Sequence, residues 1–512
     1  MTCDQNIVWL EVGNVKPKDP MSYSIMMQKK RIAWTMLAAL ASEAVNKVVP
    51  LLTMHFAATR LGAEGFGVSQ FAMWLIEWAI LLVAFGYAQS APVAIRRAAS
   101  DLEKRQVAGA LVINRLVHSA LAFCALYAAT RLNQQWGVYR PAVMASAFIL
   151  FLTAFDMSGI LIATQRVGAY SLVTILAKLL SLAGIWLMVR TPQDSAVYVT
   201  ISNGANGAIC AGSLVLAACF SGISAPSLKQ MRRIWRMSAP FALSVVVLAM
   251  VERFDLYLVE STMGPEGAGW YSGPTKLMQS LVPPIVAIST VFFSEMVRAQ
   301  DDASLRQHLR LSLLTVMMFV LPLIAGTWFT GGAILGLVFG PGFEQQAATL
   351  NILVLNALAH AFILTIGFQT LGLRHRMRPV YLALIAGLAC GTIAGPFLVS
   401  KFGYEGAALA SVASRSIAAI IILVFASRSG LVHLRELSEP MWKAGIPALG
   451  MSLVLFTLEM TGDFPIWAAI ACGALGYIAF FVLINLGDAV AFSKALRAGL
   501  KSPDPQDIRR NS

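Results

Sequence analysis

Charge is scarce in this chain. Asp, Glu, Lys and Arg make up 13% of its residues and apolar types 57%, whereas soluble domains are roughly 25% charged. A 512-residue chain with so little polar surface cannot fold as a soluble protein, even one divided into several domains. No stretch between apolar blocks exceeds about twenty residues, so the sequence has no room for the nucleotide-sugar domain of a membrane glycosyltransferase. The six cysteines (Cys3, Cys124, Cys210, Cys219, Cys390, Cys472) form no CxxC pair. Five of them lie in apolar segments and read as small hydrophobes, with no disulfide or metal role expected. Residues 1–28 lack the apolar core of a cleavable signal and carry Pro17 and Pro20 before Lys29, Lys30 and Arg31. They are expected to form a loose cytoplasmic tail.

The signatures of energy-consuming and hydrolytic sites are also missing. Gly267-Ala-Gly269-Trp-Tyr-Ser-Gly273-Pro-Thr-Lys276 looks like a phosphate loop at a glance, but it has neither GxxxxGK[ST] nor GxGxxG spacing and no preceding strand. HExxH, GxSxG and a paired-carboxylate site do not occur either. The expectation is therefore no cofactor and no metal.

What the sequence does have is long apolar blocks. The bilayer core is about 30 Å thick and takes about 20 apolar residues to cross as a helix. Fourteen such blocks are predicted as transmembrane spans: 33–58, 68–90, 107–130, 141–163, 169–190, 196–219, 239–261, 274–297, 309–329, 346–372, 380–400, 405–427, 441–460 and 464–487. Proline and glycine punctuate most of the turns. The fold class expected is all-α and integral to the membrane.

The cations check this count independently. With both termini cytoplasmic, the inside segments hold 28 Lys and Arg and the outside turns only six: Arg60, Arg131, Arg140, Arg190, Lys276 and Lys401. A missed or invented span would swap every later loop and erase the contrast. The net charge of +13 is thus a topology signal rather than a nucleic-acid face.

The chain also repeats. Leu61-Gly-Ala-Glu-Gly-Phe-Gly67 after span 1 matches Met263-Gly-Pro-Glu-Gly-Ala-Gly269 after span 7 at an offset of 202 residues. Six spans separate the copies, an even number, so both halves enter from the same side. The expected organisation is a tail (1–30), a six-helix lobe (31–222), a basic linker (223–238), a second six-helix lobe (239–430), two appended helices (431–490) and a basic tail (491–512). Rocking of one such repeat against the other is a common route to alternating access.

Ionisable groups in mid-span cost at least about 2.5–3.5 kcal/mol each, so they usually face a cavity or a partner. The cations are Lys47, Arg115 (with His118), Lys178, Arg253 and Arg415; the anions are Glu43, Glu77, Asp156, Glu252, Asp255 and Glu260. A structural reading makes them isolated ion pairs, and Glu43 and Lys47 have the helical spacing for one. The functional reading lines a shared wet cavity with Lys47, Arg115, Lys178, Arg253 and Arg415, which would suit phosphate oxygens. Glu43, Glu252 and Asp255 would orient those cations or couple to an ion. Gly387, Gly391 and Gly395 on span 11 form a ladder that permits close helix contact.

Four stretches now point to a family. They are Arg60-Leu-Gly-Ala-Glu-Gly-Phe-Gly67 with Gly86–Arg97; Trp235–Pro240 through Glu252-Arg253-Phe-Asp255 to Tyr271; Phe339-Gly-Pro-Gly-Phe-Glu344; and Gly403-Tyr-Glu-Gly-Ala-Ala-Leu-Ala410. The chain resembles the Wzx-type polysaccharide-export flippases of the superfamily that includes the MATE exporters and the lipid II flippase. The resemblance implies a two-lobed bundle around a cationic cavity. It also implies outward carriage of an undecaprenyl-diphosphate-linked oligosaccharide across a cytoplasmic membrane, with membrane lipids and polysaccharide-assembly machinery as partners. Arg253 and Asp255 match the family pattern best. Rival readings are a cation-coupled drug exporter, a glycan polymerase or ligase, and an assembly partner without transport.

Overall fold

The computed structural model of the chain describes residues 20–485, apart from 165, 221, 300, 463 and 464. Among the described residues the structure is almost wholly helical and has no strand. The basic tail expected at 491–512, and the first nineteen residues of the N-terminal tail, lie outside them. The first helix begins at Pro20, ahead of the block expected from residue 33. Proline is well placed there, because the first helical turn needs no N–H from it.

Among the described residues, ten helices are long and apolar enough to cross a membrane, or eleven if one bent pair is a single span. The protein is a multi-pass membrane protein. Three of the ten run over Val45–Arg97, Leu228–Arg298 and Arg378–Arg428. Straight, the shortest would reach about 77 Å at 1.5 Å per residue, far beyond the roughly 30 Å of hydrocarbon. None is straight. Gly62 (φ 68°), Gly264 (φ 69°) and Gly403 (φ 57°) leave helical geometry inside them, where a side chain would be strained. Each of the three thus holds two helices joined by a glycine turn, an arrangement compatible with fourteen spans. The two repeat turns share their backbone conformation as well as their sequence. Gly403-Tyr-Glu-Gly406 is a third turn of the same Gly-x-Glu-Gly type, outside the 202-residue offset of the other two.

Span 4 differs from the continuous helix expected over 141–163. It is broken into Gln134–Tyr139, Arg140–Ser146, Ile149–Thr153 and Ser158–Ala163, with a 50° bend between its halves. In lipid a broken helix survives only if other groups take up the freed backbone. Ser119 Oγ donates to the Leu150 carbonyl at 2.6 Å, and Ser213 Oγ accepts from the Met157 amide at 2.8 Å and donates to the Phe155 carbonyl at 3.2 Å. Asp156 Oδ1 accepts from the Ser158 amide at 2.9 Å. Span 10, its counterpart in the repeat, is also irregular, with a π-helical stretch over Ile363–Leu371, but it runs as one span without such a bend.

The chain forms two compact units. The first comprises residues 1–272 with 338–340, and the second 273–337 with 341–512. Within the first, the two repeat turns interlock. A Cβ at Gly67 would run into the Pro265 carbonyl, and one at Gly269 into the Ala63 carbonyl. Gly67→Ala is therefore expected to cost about 1–3 kcal/mol as an overpacking change, read as a lower melting temperature in detergent. Gly137→Ala, which meets open space, leaves the melting temperature unchanged. Within the second unit, Gly387 on span 11 packs against the Ser414 carbonyl of span 12, so that rung of the glycine ladder does allow the close contact expected of it.

Candidate functional site in the first unit

Span 7 brings Arg253 against span 2. Arg253 and Tyr257 are four residues apart on span 7, and Trp74, Glu77 and Trp78 share a face of span 2 at i, i+3 and i+4. The Arg253 guanidinium forms an ion pair with the Glu77 carboxylate, and both side chains stay about one-third exposed. The Trp74 indole N–H donates to the Arg253 carbonyl at 2.9 Å, and its ring stacks on Tyr257 with centroids 6.0 Å apart. Trp78 meets Trp74 edge-on at 5.7 Å. Arg253 is thus a partly exposed cation, paired with a carboxylate and walled by aromatic rings.

Deeper in the same unit the ionisable groups are locked. Asp255, two residues from Arg253, is buried and accepts from the Tyr271 hydroxyl at 3.0 Å and from the Leu256 amide at 2.9 Å. Glu260 is buried and accepts from the Tyr139 hydroxyl at 2.9 Å. Arg115 is 4% exposed. It donates to the Asp156 carbonyl, lies 3.9 Å from the Asp156 carboxylate and sits over the Tyr87 ring at 5.5 Å. Lys178 is half-buried and donates to Asn206 Oδ1 at 2.8 Å.

Lys47 is exposed and Glu252 half-buried, while the side chain of Glu43 lies outside the described residues. In the second unit Arg415 is buried and donates to Ser411 Oγ at 3.0 Å. The expected site residues therefore have distinct surroundings: Arg253 is paired yet reachable, whereas Arg115 and Asp255 are built into the interior. Sequence reasoning placed Glu77 in mid-span but did not find it as the partner of Arg253, nor the aromatic wall. The spacings put Trp74, Glu77 and Trp78 on one face and Arg253 and Tyr257 on another, but nothing in them pairs the two faces.

The second unit also holds an apolar cleft of about 420 Å³. Span 9 contributes Met318, Phe319 and Thr327, and the appended spans contribute Met451, Tyr477 and Ile478. The buried Tyr477 hydroxyl has no partner among the described residues.

This fold is shared with solved exporters and flippases. The chain superposes on the lipid II flippase MurJ in an inward closed conformation with a TM-score of 0.71, at 15% identity, over 88% of this chain and 98% of that one. It superposes on an inward-facing MATE-family multidrug resistance transporter of the MOP superfamily with a TM-score of 0.63, at 15% identity, over 77% and 98%. Residues 30–300 match the family of polysaccharide biosynthesis proteins (Polysacc_synt), and the chain belongs to that family. Two relatives provisionally named O-antigen transporters align with it. The one from Shigella flexneri is 20% identical over 399 residues, covering 72% of this chain and 90% of its own. The one from Escherichia coli K12 is 22% identical over 403 residues, covering 76% and 94%.

Proposed function

We propose that the chain is a transporter, not an enzyme, and that it flips a polyprenyl-diphosphate-linked oligosaccharide from the cytoplasmic to the outer leaflet of the inner membrane. Its glycan would serve O-antigen, capsule or exopolysaccharide assembly. The observation that carries this reading is Arg253: a mid-span cation, about one-third exposed, whose ion-pair partner Glu77 is a carboxylate that a diphosphate would replace. The names of the two relatives and the fold of the lipid II flippase support the same class of cargo. A guanidinium suits phosphate oxygens because its planar donors bind them in pairs. The apolar cleft of spans 9, 13 and 14 would take the prenyl tail. Both termini would lie in the cytoplasm, and two lobes would alternate access. An inside-negative potential would favour outward movement by about 2.3 kcal/mol per charge per 100 mV.

Depleting the protein in its native cells tests the reading. Lipid-linked oligosaccharide is expected to accumulate, with its sugars out of reach of a lectin added to spheroplasts. Accumulated sugars fully open to the lectin would show that the block lies after flipping and would remove the proposal.

A further inference from the structure

The first unit contains a second apolar groove, on spans 2 and 3, that none of the ionisable groups explains. It has a volume of about 320 Å³ and is lined almost wholly by apolar atoms, Trp74, Trp78, Leu82, Ala125, Leu126 and Trp136 among them. The Trp78 indole N–H is buried and has no acceptor among the described residues. The groove does not end blindly. Ala129 and Trp136 also line an open, more polar recess of about 590 Å³ completed by Leu132, Asn133, Gln134 and Gln135. One continuous surface therefore runs from an apolar channel at span depth to a shelf of amides on the turn between spans 3 and 4. Trp136 stands at the junction.

The shelf is uncharged for a structural reason. The two cations of that turn are turned elsewhere: Arg140 donates to the Thr130 carbonyl at 2.8 Å, and Arg131 lies over the Tyr127 ring at 5.3 Å. Gln134 and Gln135 are exposed. Amides beside an indole present donors and acceptors for hydroxyl groups and an apolar face for a ring. They offer little to a phosphate or an acidic headgroup. An ordinary anionic phospholipid would fit the channel but waste the shelf.

We propose that this groove and shelf form a binding site for the polyprenyl-linked saccharide after it has crossed, with the prenyl chain between spans 2 and 3 and neutral sugars on Asn133, Gln134, Gln135 and Trp136. This rests on the flippase reading and on the outside placement of the turn, and it adds an exit station separate from Arg253. Trp74 links the two, lining the groove on one side and bonding the Arg253 backbone on the other.

The test uses the full chain in nanodiscs of phosphatidylethanolamine and phosphatidylglycerol. The probe is a polyprenyl diphosphate disaccharide with a diazirine on its prenyl chain, and labelled peptides are mapped by mass spectrometry. Labelling of residues 74–82 and 122–129 is expected, and unlabelled probe should reduce it at least fivefold. Gln134→Ala combined with Gln135→Ala, on the exposed turn, should lower that labelling about threefold. The same double variant should leave labelling by a sugar-free polyprenyl phosphate unchanged. Labelling that neither competitor nor sugar affects would identify ordinary lipid packing and overturn the site. Saturable labelling by a protein that moves no lipid in vesicles would sink the flippase reading alone. Transport without saturable labelling would sink the groove alone.

Discussion

Arg253→Ala is expected to slow transfer of a lipid-linked oligosaccharide by roughly 10- to 100-fold in reconstituted vesicles, with Arg253→Lys intermediate. A charge-assisted hydrogen bond contributes about 1.5–3 kcal/mol, and each 1.4 kcal/mol is a factor of ten. Lysine keeps the charge but loses the planar fork. Glu77→Gln acts in the other direction. It removes the carboxylate that holds the guanidinium, so the concentration of substrate giving half-maximal rate should fall severalfold. Both side chains of the pair are about one-third exposed, so neither change should alter folding much. Initial rates, normalised to reconstituted protein, read both effects. Arg253→Ala at the wild-type rate would remove Arg253 from the site while leaving the family assignment untouched.

Arg115→Ala should do the opposite: a large loss of stability. The guanidinium is 4% exposed and serves the carbonyl of Asp156 at the break in span 4. Removing one partner of a buried pair costs about 3–5 kcal/mol, and the carbonyl released has no water to turn to at that depth. Asp156 retains some exposure, which places the expected cost near the lower end. A fall of several degrees in detergent melting temperature is the readout, with Arg115→Lys recovering part of it. If Arg115→Ala melts with the wild type and transports slowly, Arg115 belongs to the cargo site instead.

The contrast between these two arginines shows what the sequence could and could not supply. Span positions, the positive-inside pattern and the 202-residue repeat depend on composition and order, which a single chain displays fully. The left-handed Gly62 and Gly264 were legible for the same reason, since a helix hairpin needs a residue without a Cβ there. The partners of mid-span charges were not. Arg115 and Arg253 read alike in sequence, each a cation inside an apolar block. Only the break in span 4, where the Asp156 carbonyl is freed, makes a structural partner for Arg115. Only the packing of span 7 on span 2 gives Arg253 its partner, Glu77. Long-range pairing across 41 and 176 positions leaves no local periodicity to find. The nearly uncharged spans 13 and 14 did hint at an apolar groove, whereas the Trp136 groove was invisible, being a gap between elements.

The central claim is movement of a lipid-linked saccharide between leaflets, and one measurement meets it directly. Purified protein is reconstituted into unilamellar vesicles carrying a polyprenyl diphosphate disaccharide in both leaflets, and a membrane-impermeant glycosidase is added outside. Without protein, about half of the sugar should be cleaved before the reaction stops. With protein, cleavage should proceed to near completion, while vesicles remain sealed to an entrapped dye. Cleavage that halts at one half with the reconstituted protein would contradict the account.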